Sequence, residues 1–302
     1  MIKFLHKTSV DFMKWKNISF AISAALIALG IVGLVQIGRG KANLGIDFIG
    51  GTTVQLSFKQ PVAVNKARAA LEKNGFSGAS IQEVGEGQNQ ILIRLRESDG
   101  AADKVQAIFS RELSENPFEV YSIMEIGPAI GQALQRDALV AIGVSIVAII
   151  VYIAFRFQFK FGAVAAIATI HDVLAVLGIF YLLNKEINLL IITALLTLAG
   201  YSLTDTVVIF DRIRENLKRG KRDFLPKLVN DSINEVLSRS VITSFTVVLV
   251  LVPLVIWGGE VLHDFSMALL LGTVFGSLSS IFVASPLLVV WQERFGGKLM
   301  AK

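Results

Sequence analysis

Six apolar runs, each close to the length of a bilayer crossing, divide this 302-residue chain: roughly 18–37, 138–155, 161–183, 187–210, 241–257 and 265–291. A hydrocarbon core takes about 20 residues of helix. Inside it every backbone N–H and C=O must find a partner within the segment or the bundle. The runs therefore predict six transmembrane helices. The second and fifth are short and are expected to continue through polar flanks. The first follows Lys3, Lys7, Lys14 and Lys16, as a secretory signal would. Its apolar part is longer than a signal core and no A-x-A site follows, so it reads as a retained span. Only 18% of the chain is charged, against about 25% in soluble domains.

Lysine and arginine set the orientation of such a bundle. They gather in the N-terminal segment, at Arg156 and Lys160, and from Arg212 to Arg239 after the fourth run. They gather again at Arg294, Lys298 and Lys302. The two short loops on the other side carry only Lys185. Both termini are thus expected on the cytoplasmic side. The net charge of +5 is topological and needs no nucleic acid to explain it. Residues 1–38 then form the N-terminus and first span, 39–135 an extracytoplasmic domain, and 136–302 the remaining five spans.

The outer segment alternates like a small α+β domain. Strands are expected at 52–58, 79–84, 90–96 and 118–126, the middle pair joined across Gly85-Glu86-Gly87. Helices are expected at 62–74 and 101–114. The order βαββαβ is that of the ferredoxin-like fold. Near 223–238, Phe224, Leu225, Leu228, Val229, Ile233, Val236 and Leu237 recur at helical spacing. That pattern predicts an amphipathic helix lying in the cytoplasmic interface, with a solvated linker as the alternative.

Several chemistries are absent from the sequence. There is no cysteine, hence no disulfide or thiolate site. His6, His171 and His263 are scattered, no metal-ligand spacing occurs, and no GxxxxGK[ST] loop is present. No nucleophile–base pair suggests an enzyme, and no cofactor other than protons as a coupling ion is expected.

What stands out is polar chemistry inside apolar runs. Asp205 lies within the fourth run, where a charge costs a few kcal/mol at least. Thr197, Tyr201, Asp205, Val208 and Arg212 share one helical face, which should point toward protein or water. Asp211 is rotated off that face, at the basic end, as an interfacial ion-pair or capping group. His171 and Asp172 occupy the centre of the third run. Arg239, just before the fifth, is the natural cation for Asp205, or it snorkels to the headgroups. A proton-linked role and a static ion pair both fit Asp205. For His171 and Asp172 a helix–helix hydrogen bond fits as well. Ala268, Gly272, Gly276, Ser280 and Ala284 form a small-residue stripe on the sixth run, suited to packing within the bundle or to a subunit contact.

At Leu44-Gly45-Ile46-Asp47-Phe48-Ile49-Gly50-Gly51-Thr52 the sequence resembles the SecD/SecF family. The likeness continues at Ile170-His171-Asp172-Val173 and at GYSLTDTVVIFDRIRE, residues 200–215, with Gly200, Tyr201, Ser202, Thr204, Asp211 and Arg212 around Asp205. Thr204 stands where Asn is expected in many members and keeps a hydrogen-bonding side chain. The resemblance implies half of an RND-superfamily transporter, multi-pass in the bacterial inner membrane with residues 39–135 periplasmic. It implies work with SecD at the SecYEG channel, using the proton-motive force to draw preproteins outward after the SecA stage. YajC and YidC are candidate further partners. Asp205 and Arg239 match residues tied to proton conduction in the family. Gly45, Asp47, Gly50, Gly51 and Thr52 fit a hinge between span and domain, or a tight strand-entry turn held by Asp47. The rival readings are a small-molecule efflux half-transporter of RND type and a non-conducting assembly factor.

Overall fold

The computed structural model describes residues 8–84, 89–156, 159–219 and 224–296. His6, the Gly85-Glu86-Gly87 turn and the outermost lysines lie outside the described residues. The elements run α1 (Lys16–Gly38), a single turn α2 (Ile46–Ile49), β1 (Gly51–Phe58), α3 (Val64–Lys73), β2 (Ser80–Val84), β3 (Gln90–Leu95), α4 (Ala101–Glu112) and β4 (Phe118–Ile126). Then come α5 (Pro128–Arg156), α6 (Phe159–Leu182), α7 (Leu189–Lys218), α8 (Leu225–Trp257), α9 (Gly259–Ser279), a π-helical turn (Ser280–Ala284) and α10 (Ser285–Phe295). Among the described residues six stretches are long and apolar enough to cross a membrane.

The chain divides into two compact units. One holds residues 44–141 and 186–189, so its limits differ from the 39 and 135 read from sequence. The added segment 186–189 joins because Leu44 bridges Ile187 and the Gly45 N–H donates to the Ile187 carbonyl at 3.0 Å. Its sheet has the order β2-β3-β1-β4, antiparallel throughout, which is the ferredoxin-like arrangement. Val54, Leu56 and Phe58 alternate inward from β1 and meet Ile91 and Ile93 of β3. On α4, Ala101, Val105, Ile108 and Phe109 fall at helical spacing and close that core. β4 forms an edge of the sheet and exposes Tyr121, Ile123 and Met124.

The other unit is helical. α6, α7 and the α9–α10 run bury half or more of their apolar windows, whereas α1 and α8 bury less than a fifth. Lipid gives helices no hydrophobic reason to associate, so small residues that permit close approach do the packing. A Cβ added at Gly178 of α6 would lie 2.7 Å from the Gly30 nitrogen of α1. Gly276 of α9 meets Ser202 of α7, where an added Cβ would stand 3.0 Å from the serine Cβ. The small-residue stripe of the sixth run therefore packs within the chain. Phe161 and Phe210 meet edge-on at 5.3 Å in the same interior.

One expectation is corrected. The segment near 223–238 is not a separate interfacial helix: its described part is the first half of α8, which continues unbroken for 33 residues. At about 1.5 Å per residue that is roughly 50 Å, more than a bilayer core spans. Its apolar face is buried against protein: Leu228, Val229 and Ile233 pack with Phe12, Ile213 and Leu288. Periodicity shows that a helix has an apolar face; lipid and protein both satisfy it.

Candidate functional site

Asp172 and Asp205 are both buried, at 0% and 6% exposure. Each is held by hydroxyls delivered from neighbouring helices. Asp172 Oδ1 lies 2.8 Å from His171 Nδ1. Its Oδ2 accepts from Ser202 of α7 and from Ser279 of α9 at 2.7 Å. Asp205 Oδ2 accepts from Ser244 of α8 at 3.2 Å and Ser277 of α9 at 2.9 Å. Those two serines are themselves 2.5 Å apart. Nearby, Thr206 and Ser280 share a hydrogen bond at 2.8 Å.

Two local features of sequence aim these groups. On α7, Ser202, Asp205 and Thr206 fall at i, i+3 and i+4, so they occupy one face. On the last span, Ser277 and Ser279 end α9 and Ser280 opens the π turn into which the helix widens. Pro286 gives a reason for the widening: it lacks the N–H that an α-helix would return to Phe282. Within the turn, Ser285 Oγ donates to the Ser280 carbonyl, five residues back, at 2.8 Å. Such turns recur at functional sites because they re-aim side chains.

Arg239 does not meet Asp205 in this arrangement. It is exposed, and among the described residues no cation pairs with Asp205. Arg239 and Ser244 are five residues apart, about 140° around the helix axis. With Ser240 and Ser244 turned inward, Arg239 must face out. The polar face read on α7 splits too. Asp205 is buried, Tyr201, Val208 and Arg212 are half-buried, and Thr197 is exposed with Thr193, Gly200 and Thr204. Tyr201 reaches the Thr243 carbonyl at 3.4 Å. Asp211 pairs with Arg156, and Arg212 with Glu235 at 2.6 Å and Glu215 at 2.5 Å.

In the other unit, Asp47 Oδ2 accepts the Leu189 N–H at 2.9 Å. It thus caps the start of the helix that carries Asp205, rather than the amides of its own turn. Arg94 of β3 pairs with Glu186 at 2.8 Å beside it. Gly50 and Gly51 take φ of +75° and +135°, a region that side chains rarely enter. Gly45 has ordinary φ; a Cβ there would lie 2.6 Å from Glu186 Oε1. Thr52 is buried and donates to the Glu97 carbonyl at 2.7 Å.

Sequence reasoning missed Ser244, Ser277, Ser279 and Thr206, and read Ser280 only as a small packing residue. Their signal was present as hydroxyls inside apolar runs, the same signal that singled out Asp205. It is fainter because a lone hydroxyl can satisfy itself on the carbonyl four residues back.

Residues 106–294 match the family Protein export membrane protein SecD/SecF, C-terminal, and residues 41–62 match the SecD/SecF GG Motif. The Protein translocase subunit SecF of Thermodesulfovibrio yellowstonii is 50% identical over 293 residues, 96% of this chain and 97% of that protein. The SecF of Vibrio alginolyticus is 37% identical over 283 residues, 92% of this chain and 89% of that protein. The crystal structure of SecDF, a translocon-associated membrane protein from Thermus thermophilus, superposes with a TM-score of 0.83 at 36% identity. That match covers 97% of this chain and 40% of the longer SecDF chain. The chain belongs to the SecD/SecF family of protein export membrane proteins, on its SecF side.

Proposed function

We propose that the chain couples proton movement at Asp205 to protein export, as the SecF subunit working with SecD at the SecYEG channel after the SecA stage. The observation that carries this reading is the Asp205 carboxylate, buried in a bundle between hydroxyls of α8 and α9. As an anion it ties three helices together through Ser244 and Ser277. Protonation removes the charge that makes those bonds strong, and the helices are freed to shift. A proton crossing about 100 mV supplies roughly 2.3 kcal/mol, enough to bias a two-state element a few tens-fold. Arg239 is the second charge of the cycle. It has no acidic partner among the described residues, so a movement of α8 can bring it to Asp205. His171 and Asp172 form an adjoining relay. Asp47 and the glycines beside it pass the movement on at the start of α7.

SecD is the first partner on this reading, and two exposed surfaces suit it. One is the polar stripe of α7, Thr193, Thr197, Gly200 and Thr204, since polar groups within a span face protein or water. The other is the open edge of β4, a ready template for another strand. The setting is the bacterial inner membrane, with both termini cytoplasmic and residues 39–135 periplasmic, and YajC and YidC as further associates. Subunits of this kind carry out transport and no covalent reaction.

The test uses inverted vesicles with SecYEG, SecA, SecD and this chain under an imposed proton gradient. Asp205→Asn at equal expression should lose most of the gradient-driven translocation and keep the ATP-driven part. Full gradient stimulation in the variant would instead leave a non-conducting assembly factor.

A further inference from the structure

Beside His171 and Ser279, the partners of Asp172, the helical unit contains an apolar cavity of about 360 Å³. Small-molecule sites span about 300–1,000 Å³. Its walls include Phe12, Ile22 and Leu26 from the N-terminal segment and α1, with Phe275 of α9 and Phe282 of the π turn. Its mouth runs past Ile18 and Ile22, which are 54% and 57% exposed. In a membrane bundle that mouth faces lipid. Among the described residues no aspartate, glutamate, lysine or arginine lines the cavity, so none of them would pair an ionic head group there.

One wall residue is out of keeping with this lining. His171 reaches the cavity and is only 4% exposed. Its Nδ1 is engaged by Asp172 at 2.8 Å. Its Nε2 is buried with no hydrogen-bond partner among the described residues. A buried polar atom left in that state is costly, and here it borders space that a ligand can enter. Imidazole nitrogen is a donor in one tautomer and an acceptor in the other. A hydroxyl is both, so it satisfies Nε2 whichever tautomer the Asp172 contact selects. A carbonyl satisfies only one.

We propose that this cavity is a binding site for an uncharged amphiphile: an aliphatic chain lying between α1 and α9 whose hydroxyl bonds His171 Nε2. Ser23 of α1, buried on the cavity wall, offers that hydroxyl a second partner. An occupant there touches the imidazole that holds Asp172. Membrane lipids of this chemistry thereby gain a direct contact with the polar interior of the bundle. The inference does not depend on proton coupling at Asp205, and its test reads binding alone.

The full chain is labelled with ¹⁵N-histidine, placed in lipid nanodiscs and titrated with 1-dodecanol or dodecane. His6, His171 and His263 are the three histidines, and two of them serve as internal controls. Dodecanol should shift the His171 ring signals alone and saturably, with dodecane about tenfold weaker, the ratio expected for one hydrogen bond. Ile22→Trp, at an exposed wall position, should fill the mouth and abolish the shift while His171 stays in place. Equal potency of dodecane, or an undiminished shift in Ile22→Trp, would overturn the proposal. So would a His171 signal that ignores dodecanol and exchanges freely with solvent water.

Discussion

In the sheet-bearing unit the buried side chains are Val54, Leu56, Leu71, Ile91, Ile93, Val105 and Phe109 with others of their kind. Thr52 is its one buried polar side chain among the described residues. The helical unit buries Phe161, Ile191 and Phe210, but also His171, Asp172, Ser202, Asp205, Thr206, Ser244 and Ser279. The solvent makes the difference. A domain in water is driven together by removing apolar area from water, and a polar group inside it only subtracts. Helices already in hydrocarbon gain nothing from apolar contact, so backbone proximity and hydrogen bonds hold them. The first kind of interior is rigid. The second can exchange one set of polar contacts for another at small cost, as the proposed proton coupling requires.

The largest break in this contrast should come from Phe109→Ala. Phe109 is fully buried and packs edge-on against Phe58, ring centres 6.0 Å apart. The loss should be about 3–5 kcal/mol, read as faster hydrogen exchange of β1 and β3 amides in the full chain. A cost below about 1 kcal/mol would mean that this core is as yielding as the bundle.

A smaller effect is expected from Gly178→Val, which forces α1 and α6 apart at the Gly30 contact. Overpacking of this kind costs about 1–3 kcal/mol. The tryptophans at 15, 257 and 291 all lie outside the sheet unit, so their fluorescence reports the bundle selectively. Unfolding that follows exchange of the sheet amides instead would show the two units to be one cooperative block.

The smallest stability change, about 0.5–1.5 kcal/mol, belongs to Ser277→Ala, which removes one hydroxyl from Asp205. Its functional effect should be the more visible: a reduced gradient-driven component in the vesicle assay, with the ATP-driven part retained. Unchanged gradient stimulation would assign Ser277 to packing alone.

Much of this was legible beforehand because it is local. The strand at 118–126, the helix from Ala101 and the six spans follow from the pattern of local stretches or the length of apolar runs, and both are properties of neighbouring residues. The second span could be expected to run into its polar flank, and α5 does begin at Pro128. Asp205 could be singled out because an acid in an apolar run is costly wherever the helix points.

What surrounds Asp205 had no such local mark. Ser244 and Ser277 lie 39 and 72 residues away, and they converge on it only through the rotation of α8 and α9 about their axes. The same rotation carries Arg239 outward, and one covalent helix from Leu225 to Trp257 turns an expected interfacial segment into buried bundle wall. Asp47 capping Leu189, 142 residues on, depends likewise on the tertiary path of the chain. Helix, strand and span, and the residues too polar to face lipid, are written in runs of neighbouring residues. Which of those polar residues meet is settled by packing, because a helix's face is set by its own sequence but its partner is not.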